Sequence, residues 1–130
     1  MADTRRTRVL VIDDAALMRL YYRDALEGAG FEVDEALNGL EALEKLLASP
    51  ADLLVVDVNM PQMDGLTFLH TLRRQPLPLG ATPALVTSTE SGPQDLAAAR
   101  AAGANYYLVK PVTREQLAAH AAALTGLSDG

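Results

Sequence analysis

Four stretches of this 130-residue chain place a charged or hydroxyl side chain at the end of an apolar run. Asp13 and Asp14 follow RVLVI (8–12), and Asp57 closes DLLVVD (52–57). Thr87 and Ser88 close ALVTS (84–88), and Lys110 follows NYYLV (105–109). A carboxylate at the end of a buried run is costly unless something pairs with it. Three carboxylates brought together repel and raise one another's pKa. A divalent cation relieves that conflict, and oxygen donors without His or Cys suit Mg²⁺, which keeps several waters and takes few carboxylates.

Such a set has a definite chemistry. Asp57 is a candidate nucleophile, as carboxylates are where aspartyl phosphates form. Positive charge from Mg²⁺ suits phosphoryl oxygens in the transition state. Lys110 suits another phosphoryl oxygen as a point charge, and the Thr87 hydroxyl can donate to a third. No side chain in the set is an obvious base for activating water. This favours a phosphoaspartate that persists over one that turns over rapidly.

The residues meet only if the fold brings the strand ends together. RVLVI, FEVDEA (31–36), DLLVVD, ALVTS and NYYLV read as five strands, DLLVVD being the most apolar and central. Between them lie helical periodicities. Met18, Tyr22, Ala25 and Ala29 share one stripe of a helix over 15–29, with Arg19, Arg23 and Glu27 opposite and Gly30 as its stop. Asn38 is placed to cap a second helix, with Leu40, Leu43 and Leu47 expected inward and Ser49-Pro50 ending it. Leu66, Leu69 and Leu72 mark a third, after a Pro-Gln-Met-Asp-Gly turn at 61–65 in which Asp64-Gly65 reads as turn-forming. QPLPLGATP (75–83) is a Pro/Gly loop, and DLAAARAA (95–102) is a fourth helix stopped by Gly103. Thr113 opens a last helix in a Thr-x-x-Gln capping pattern with Gln116, and Leu117, Ala121 and Leu124 form its stripe. Strand and helix thus alternate five times, which gives an α/β fold: a doubly wound parallel sheet with helices on both faces. Ligands in such sheets bind at the carboxyl ends of the strands, at the switch in strand order.

Bulk composition narrows the function classes. The length fits one domain over 1–130, and 49% apolar residues supply a core. With no cysteine there are neither disulfides nor thiolate metal sites. A net charge of −6 argues against a nucleic-acid surface. Arg5, Arg6 and Arg8 form the single basic knot and read as a solvated N-terminal tail. No stretch is long and apolar enough for a membrane span or a signal peptide, so a cytoplasmic protein is expected.

Taken together, Asp13-Asp14, DVNMPQMDG (57–65), LVTS (85–88) and YYLVKP (106–111) resemble the receiver domain of bacterial response regulators, most of all the stand-alone chemotaxis type. The resemblance covers about 7–126. It implies a flavodoxin-like sheet in the order 2-1-3-4-5, with Asp57 as phosphoacceptor. Asp13 and Asp14 match the acidic pair that holds Mg²⁺, and Asn59 the position whose backbone carbonyl ligates it. Thr87 matches the hydroxyl that moves to the phosphoryl group, Lys110 the phosphate partner, and Lys110-Pro111 a peptide bond that is usually cis. Tyr107 matches an aromatic switch, with Tyr106 on the opposite strand face. Thr89 stands where such proteins commonly carry an acidic residue. It and Asn59 occupy positions that tune how fast the phosphoryl group is lost.

What the resemblance implies is a two-component switch. A histidine kinase would supply the phosphoryl group, Thr87 would move and Tyr107 would rotate inward. The face made by the fourth helix, fifth strand and fifth helix would then change its binding to a protein target, such as a flagellar switch component. With no room for a second domain, protein–protein binding by a monomer is the expected output, rather than enzymatic turnover. A phosphorelay or developmental receiver is the alternative within the family. A Mg²⁺-dependent phosphohydrolase fits less well, because Asn59 stands where its acid/base Asp would be and cannot transfer a proton. A flavin module is disfavoured, since Asp13-Asp14 would repel a phosphate. His70 and His120 stand alone on helices and read as structural or solvent-facing.

Overall fold

The computed structural model describes residues 7–60 and 63–126. Arg5, Arg6 and the Pro61-Gln62 start of the expected turn lie outside them. Eleven elements follow one another in strict alternation apart from one 3-10 turn. They are β1 (Arg8–Ile12), α1 (Ala16–Gly28), β2 (Glu32–Ala36), α2 (Gly39–Ala48), β3 (Leu53–Asp57), α3 (Gly65–Arg73), the 3-10 turn Leu79–Ala81, β4 (Ala84–Ser88), α4 (Pro93–Ala102), β5 (Tyr106–Val109) and α5 (Arg114–Thr125). The sheet order is β2-β1-β3-β4-β5, and every pairing is parallel. The order reverses between β1 and β3, which puts a crevice at the carboxyl ends of those two strands.

Period-two alternation sends successive side chains to two separate cores. Val9, Val11, Leu53, Val55, Leu85 and Leu108 pack with Tyr22 and Leu26 of α1 and Leu117 of α5. Leu10, Ile12, Leu54, Val56 and Val86 pack with α2 and α3. All five residues of β3 and of β4 are buried, as central strands covered on both faces require.

Helix ends follow the expected chemistry in most places. Asn38 Oδ1 accepts from Glu41 N at 2.9 Å, and Gly103 adopts φ 107° where α4 stops. Thr113 Oγ1 accepts from Gln116 N at 3.0 Å while Gln116 Oε1 accepts from Thr113 N at 2.9 Å, a closed capping box. Asp64 acts as the N-cap of α3, accepting from Thr67 N at 2.9 Å, rather than as a turn residue.

Two further expectations are corrected. In α2 the buried residues are Gly39, Ala42 and Leu46, with Leu43 packed alongside. Leu40 and Leu47 are 47% and 69% exposed. A Cβ on Gly39 would meet Phe68 Cβ of α3 at 3.0 Å. The helix therefore approaches α3 on its smallest residues, which turns those two leucines outward. Arg8 is not part of a solvated tail. It opens β1, its Nε donates to Glu32 Oε2 at 3.1 Å, and its Nη1 donates to Ser49 Oγ and Pro50 O.

Arg73 holds the opposite end of the sheet. Its guanidinium donates to Gly103 O, Gly80 O and Thr82 O at 2.7–3.1 Å. Burial lowers its pKa from the usual arginine value. The flat five-donor fork suits this role, since it can satisfy three carbonyls from two turns at once.

Candidate functional site

Asp13 immediately follows β1 and Asp57 is the last residue of β3, the two strands that flank the reversal in sheet order. Alternation from Val11 and Val55 turns both carboxylates to the α1/α5 side. Thr87, two residues after Leu85, leaves β4 on the same side, and Lys110, two after Leu108, extends from β5 toward it. Asp13, Asp57 and Thr87 are all buried.

These side chains meet. Lys110 Nζ donates to Asp57 Oδ1 at 3.1 Å and lies 3.8 Å from Asp13 Oδ2. Carboxylate oxygens of Asp13, Asp14 and Asp57 come within 4.8 Å of one another, Asp14 being exposed to solvent. Asp13 Oδ1 accepts from Ala15 N at 2.9 Å, while its Oδ2 is buried without a hydrogen-bond partner. Burial pushes the Asp13 carboxyl up. The Ala15 amide and Lys110 oppose that shift, and the neighbouring Asp57 and Asp14 charges add to it.

The donor set fits a hard divalent cation. Three carboxylates converge with one ammonium to offset them, no His or Cys is present, and one buried acceptor stands unsatisfied. Asp13, Asp14 and Asp57 would hold such an ion. Asn59 follows Asp57 by two residues and is exposed.

The backbone around Asp57 is tightly defined. Val58 N donates to Thr87 O at 3.1 Å and Gly65 N to Val58 O at 2.9 Å. A Cβ on Gly65 would stand 2.4 Å from Asp57 O, so α3 can begin this close to the strand end only with glycine there. The Lys110–Pro111 peptide is cis, as is Leu77–Pro78.

The tyrosines of β5 divide between the two faces. Tyr106 packs in a tilted arrangement on His120 of α5, with ring centroids 4.3 Å apart. Tyr107 packs against the other core, and its hydroxyl donates to Glu90 O at 2.8 Å. Its register partner in β4 is Val86, whereas Thr87 pairs with Leu108. Thr87 and Tyr107 therefore leave the sheet on opposite sides, and the Tyr107 hydroxyl bonds the 88–92 segment that follows β4. There Lys110 N donates to Ser88 O and Ser88 Oγ accepts from Glu90 N. Thr89 is exposed.

The spacing of two further residues near the site does not mark them as part of it. Arg19 reads as a polar-face residue of α1, yet its guanidinium donates to Asp13 O and to Glu35 Oε1, both at 2.8 Å. Tyr22 reads as core filling and is fully buried. Its hydroxyl lies beside the Thr87 hydroxyl, within the field of Asp13 and Asp57, and burial raises its pKa to about 12. Neither residue type announces such a role in a helical stripe, and only the packing of α1 against the strand ends exposes it. His70 is exposed, and His120 Nδ1 lies 2.7 Å from Gln116 O, its own preceding turn.

Residues 9–122 match the model of the response regulator receiver domain. The chain is 37% identical over 112 residues to chemotaxis protein CheY of Bacillus subtilis, covering 85% of this chain and 90% of that one. It is 43% identical over 106 residues to a protein-glutamate methylesterase/protein-glutamine glutaminase of Archaeoglobus fulgidus. That match covers 80% of this chain and 30% of the relative, so the chain spans about a third of the length of that curated protein. Among solved structures, chemotaxis protein CheY4 of Vibrio cholerae superposes with a TM-score of 0.86 at 35% identity, covering 92% of this chain and 99% of that one. A response regulator described as putative from Chloroflexus aurantiacus gives 0.89 at 30% identity, covering 94% and 99%.

Proposed function

The chain belongs to the response regulator receiver domain family, and on that premise we propose that it is a phosphorylation switch whose acceptor is Asp57. The observation that carries the reading is the meeting of Asp57 with Lys110 at 3.1 Å inside a three-carboxylate cluster at the sheet's switch point. A phosphoryl group would come from a phosphohistidine of a partner kinase. Its P–N bond breaks as a P–O bond forms to the Asp57 carboxylate, and the imidazole nitrogen takes up a proton.

Asp13, Asp14 and Asp57, with the Asn59 carbonyl, would hold Mg²⁺, which when bound supplies positive charge against the phosphoryl oxygens. Lys110, already beside Asp57, turns to a phosphoryl oxygen as a second cation. Thr87 offers its hydroxyl from the same side of the sheet. Charge added at Asp57 needs a bistable element to reach a distant surface. The 88–92 segment, bonded to Lys110 N through Ser88 O and to the Tyr107 hydroxyl through Glu90 O, is that element. Asn59 and Thr89, both exposed at its rim, set the lifetime of the phosphoryl group.

The output is binding to a protein target through the face of α4, β5 and α5. Likeness to chemotaxis proteins of Bacillus subtilis and Vibrio cholerae supports a chemotaxis role, with a flagellar switch component as target and the cytoplasm as location. Among the described residues no helix is long and apolar enough to cross a membrane.

Intact-mass spectrometry after incubation with acetyl phosphate tests the core of this reading. One added phosphoryl group is expected, requiring both Mg²⁺ and Asp57, and absent in Asp57→Asn. A folded wild-type protein that gains no mass under any condition would overturn it.

A further inference from the structure

Tyr22 is fully buried, yet its hydroxyl has no hydrogen-bond partner. The Thr87 hydroxyl beside it is also buried and also without a partner. A phenylalanine would fill the same volume without stranding a polar atom, and a stranded buried hydroxyl is destabilising. Two such hydroxyls side by side, next to the Asp13–Asp57 cluster, are therefore an arrangement that packing alone does not require.

Donor counting gives the pair a direction. A threonine hydroxyl has one proton and two acceptor lone pairs. Asp57 Oδ1 is engaged by Lys110 and Asp13 Oδ1 by the Ala15 amide. Asp13 Oδ2, also without a hydrogen bond, faces the Lys110 ammonium at 3.8 Å, so the acceptor beside the neutral tyrosine donor is Thr87 Oγ1. If Tyr22 donates there, the Thr87 proton must point away from Tyr22, which leaves it available to the Asp57 side.

We propose that Tyr22 is a positioning residue for Thr87: its O–H donates to Thr87 Oγ1 when Thr87 gives its own proton to a phosphoryl oxygen on Asp57. This rests on the reading of Asp57 as phosphoacceptor. The two hydroxyls are adjacent but outside hydrogen-bond geometry, and a phosphoryl group on Asp57 would close the chain Tyr22–Thr87–phosphoryl. Chained hydrogen bonds polarise one another, so the Thr87 contact gains strength from the donor behind it.

The test is a double-mutant cycle on the rate of phosphoryl gain at Asp57. Acetyl phosphate and Mg²⁺ are the reagents, with intact mass as readout. Tyr22→Phe is expected to slow the gain about fivefold, the worth of one net hydrogen bond. Its thermal midpoint without phosphoryl donor should match or exceed the wild-type value, since a stranded hydroxyl has been removed. In a Thr87→Ala background the same substitution should change the rate no further.

An unchanged rate in Tyr22→Phe, or an equal loss in both backgrounds, would overturn the positioning role while leaving Asp57 as acceptor. Absence of labelling in the wild type would instead overturn the acceptor reading, and this inference with it.

Discussion

Lys110 Nζ stands 3.1 Å from Asp57 Oδ1, across the end of β4, which separates their two strands. Asp57 is the last residue of β3 and Lys110 is the first after β5. The contact therefore spans the β4 end and closes the site over Thr87.

That ammonium offsets two buried carboxylates, so Lys110→Met leaves both without a cation. Removing one partner of a partly buried pair should cost about 1–3 kcal/mol in metal-free buffer. A divalent cation supplies the missing charge, so the loss should shrink when Mg²⁺ is added. Thermal unfolding of wild type and variant, with chelator and with Mg²⁺, checks this. An equal loss in both buffers would mean that the lysine acts through packing.

Asp13 carries the opposite expectation. Burial raises its carboxyl pKa, so the folded state holds the proton more tightly than the unfolded chain does. Its favourable contribution is complete below the unfolded value and is lost as pH rises through the raised folded value. Asp13→Asn keeps an acceptor for Ala15 N and removes the charge. In metal-free buffer it should be more stable than wild type by about 1 kcal/mol at pH 7, with the gap closing toward pH 3. The same variant should lose the stabilisation that Mg²⁺ gives the wild type.

Gly65→Ala tests the close approach of α3 to β3. Its methyl would meet Asp57 O at 2.4 Å and Val58 Cα at 3.0 Å, both backbone atoms that cannot rotate away. A loss of about 2 kcal/mol or more is expected, together with slower phosphoryl gain at Asp57. Denaturant unfolding reads the first and intact mass the second. A wild-type midpoint would show that the helix can shift freely.

Glu35 receives Arg19 at 2.8 Å and Arg23 at 2.7 Å. Burial alone would raise its pKa, but the two guanidiniums outweigh it and hold the carboxyl below the usual glutamate value. The stabilisation is present above the unfolded pKa and is lost as pH falls through the depressed folded one. Glu35→Gln should cost less than about 1 kcal/mol at pH 7, since the pair is partly solvated. Its curve should merge with that of the wild type under acid, as thermal scans over pH 2–7 would show.

Much of the site was legible because strand ends are written in one dimension. An apolar run that stops at a carboxylate, a hydroxyl or a lysine marks its own terminus, and alternation with helices dictates that parallel strands stop at one edge. Asp13, Asp57, Thr87 and Lys110 stand at such ends, and the structure brings them together. Caps such as Asn38 and Thr113 were legible for the same reason, since their partners lie three residues away.

The sequence by itself determined the element order, the strand ends and the donors offered there, because these depend on neighbours along the chain. Tertiary structure decided which side of each helix is buried and what its polar atoms face. Leu40 and Leu47 turned outward because Gly39 lets α2 close on α3. Arg19 reached Asp13 O because α1 crosses the end of β1, and Tyr22 met Thr87 because both leave their elements toward the same core. Helical spacing gives relative positions around an axis. The rotation of that axis against the sheet is fixed by packing volume and by charges contributed from residues far along the chain.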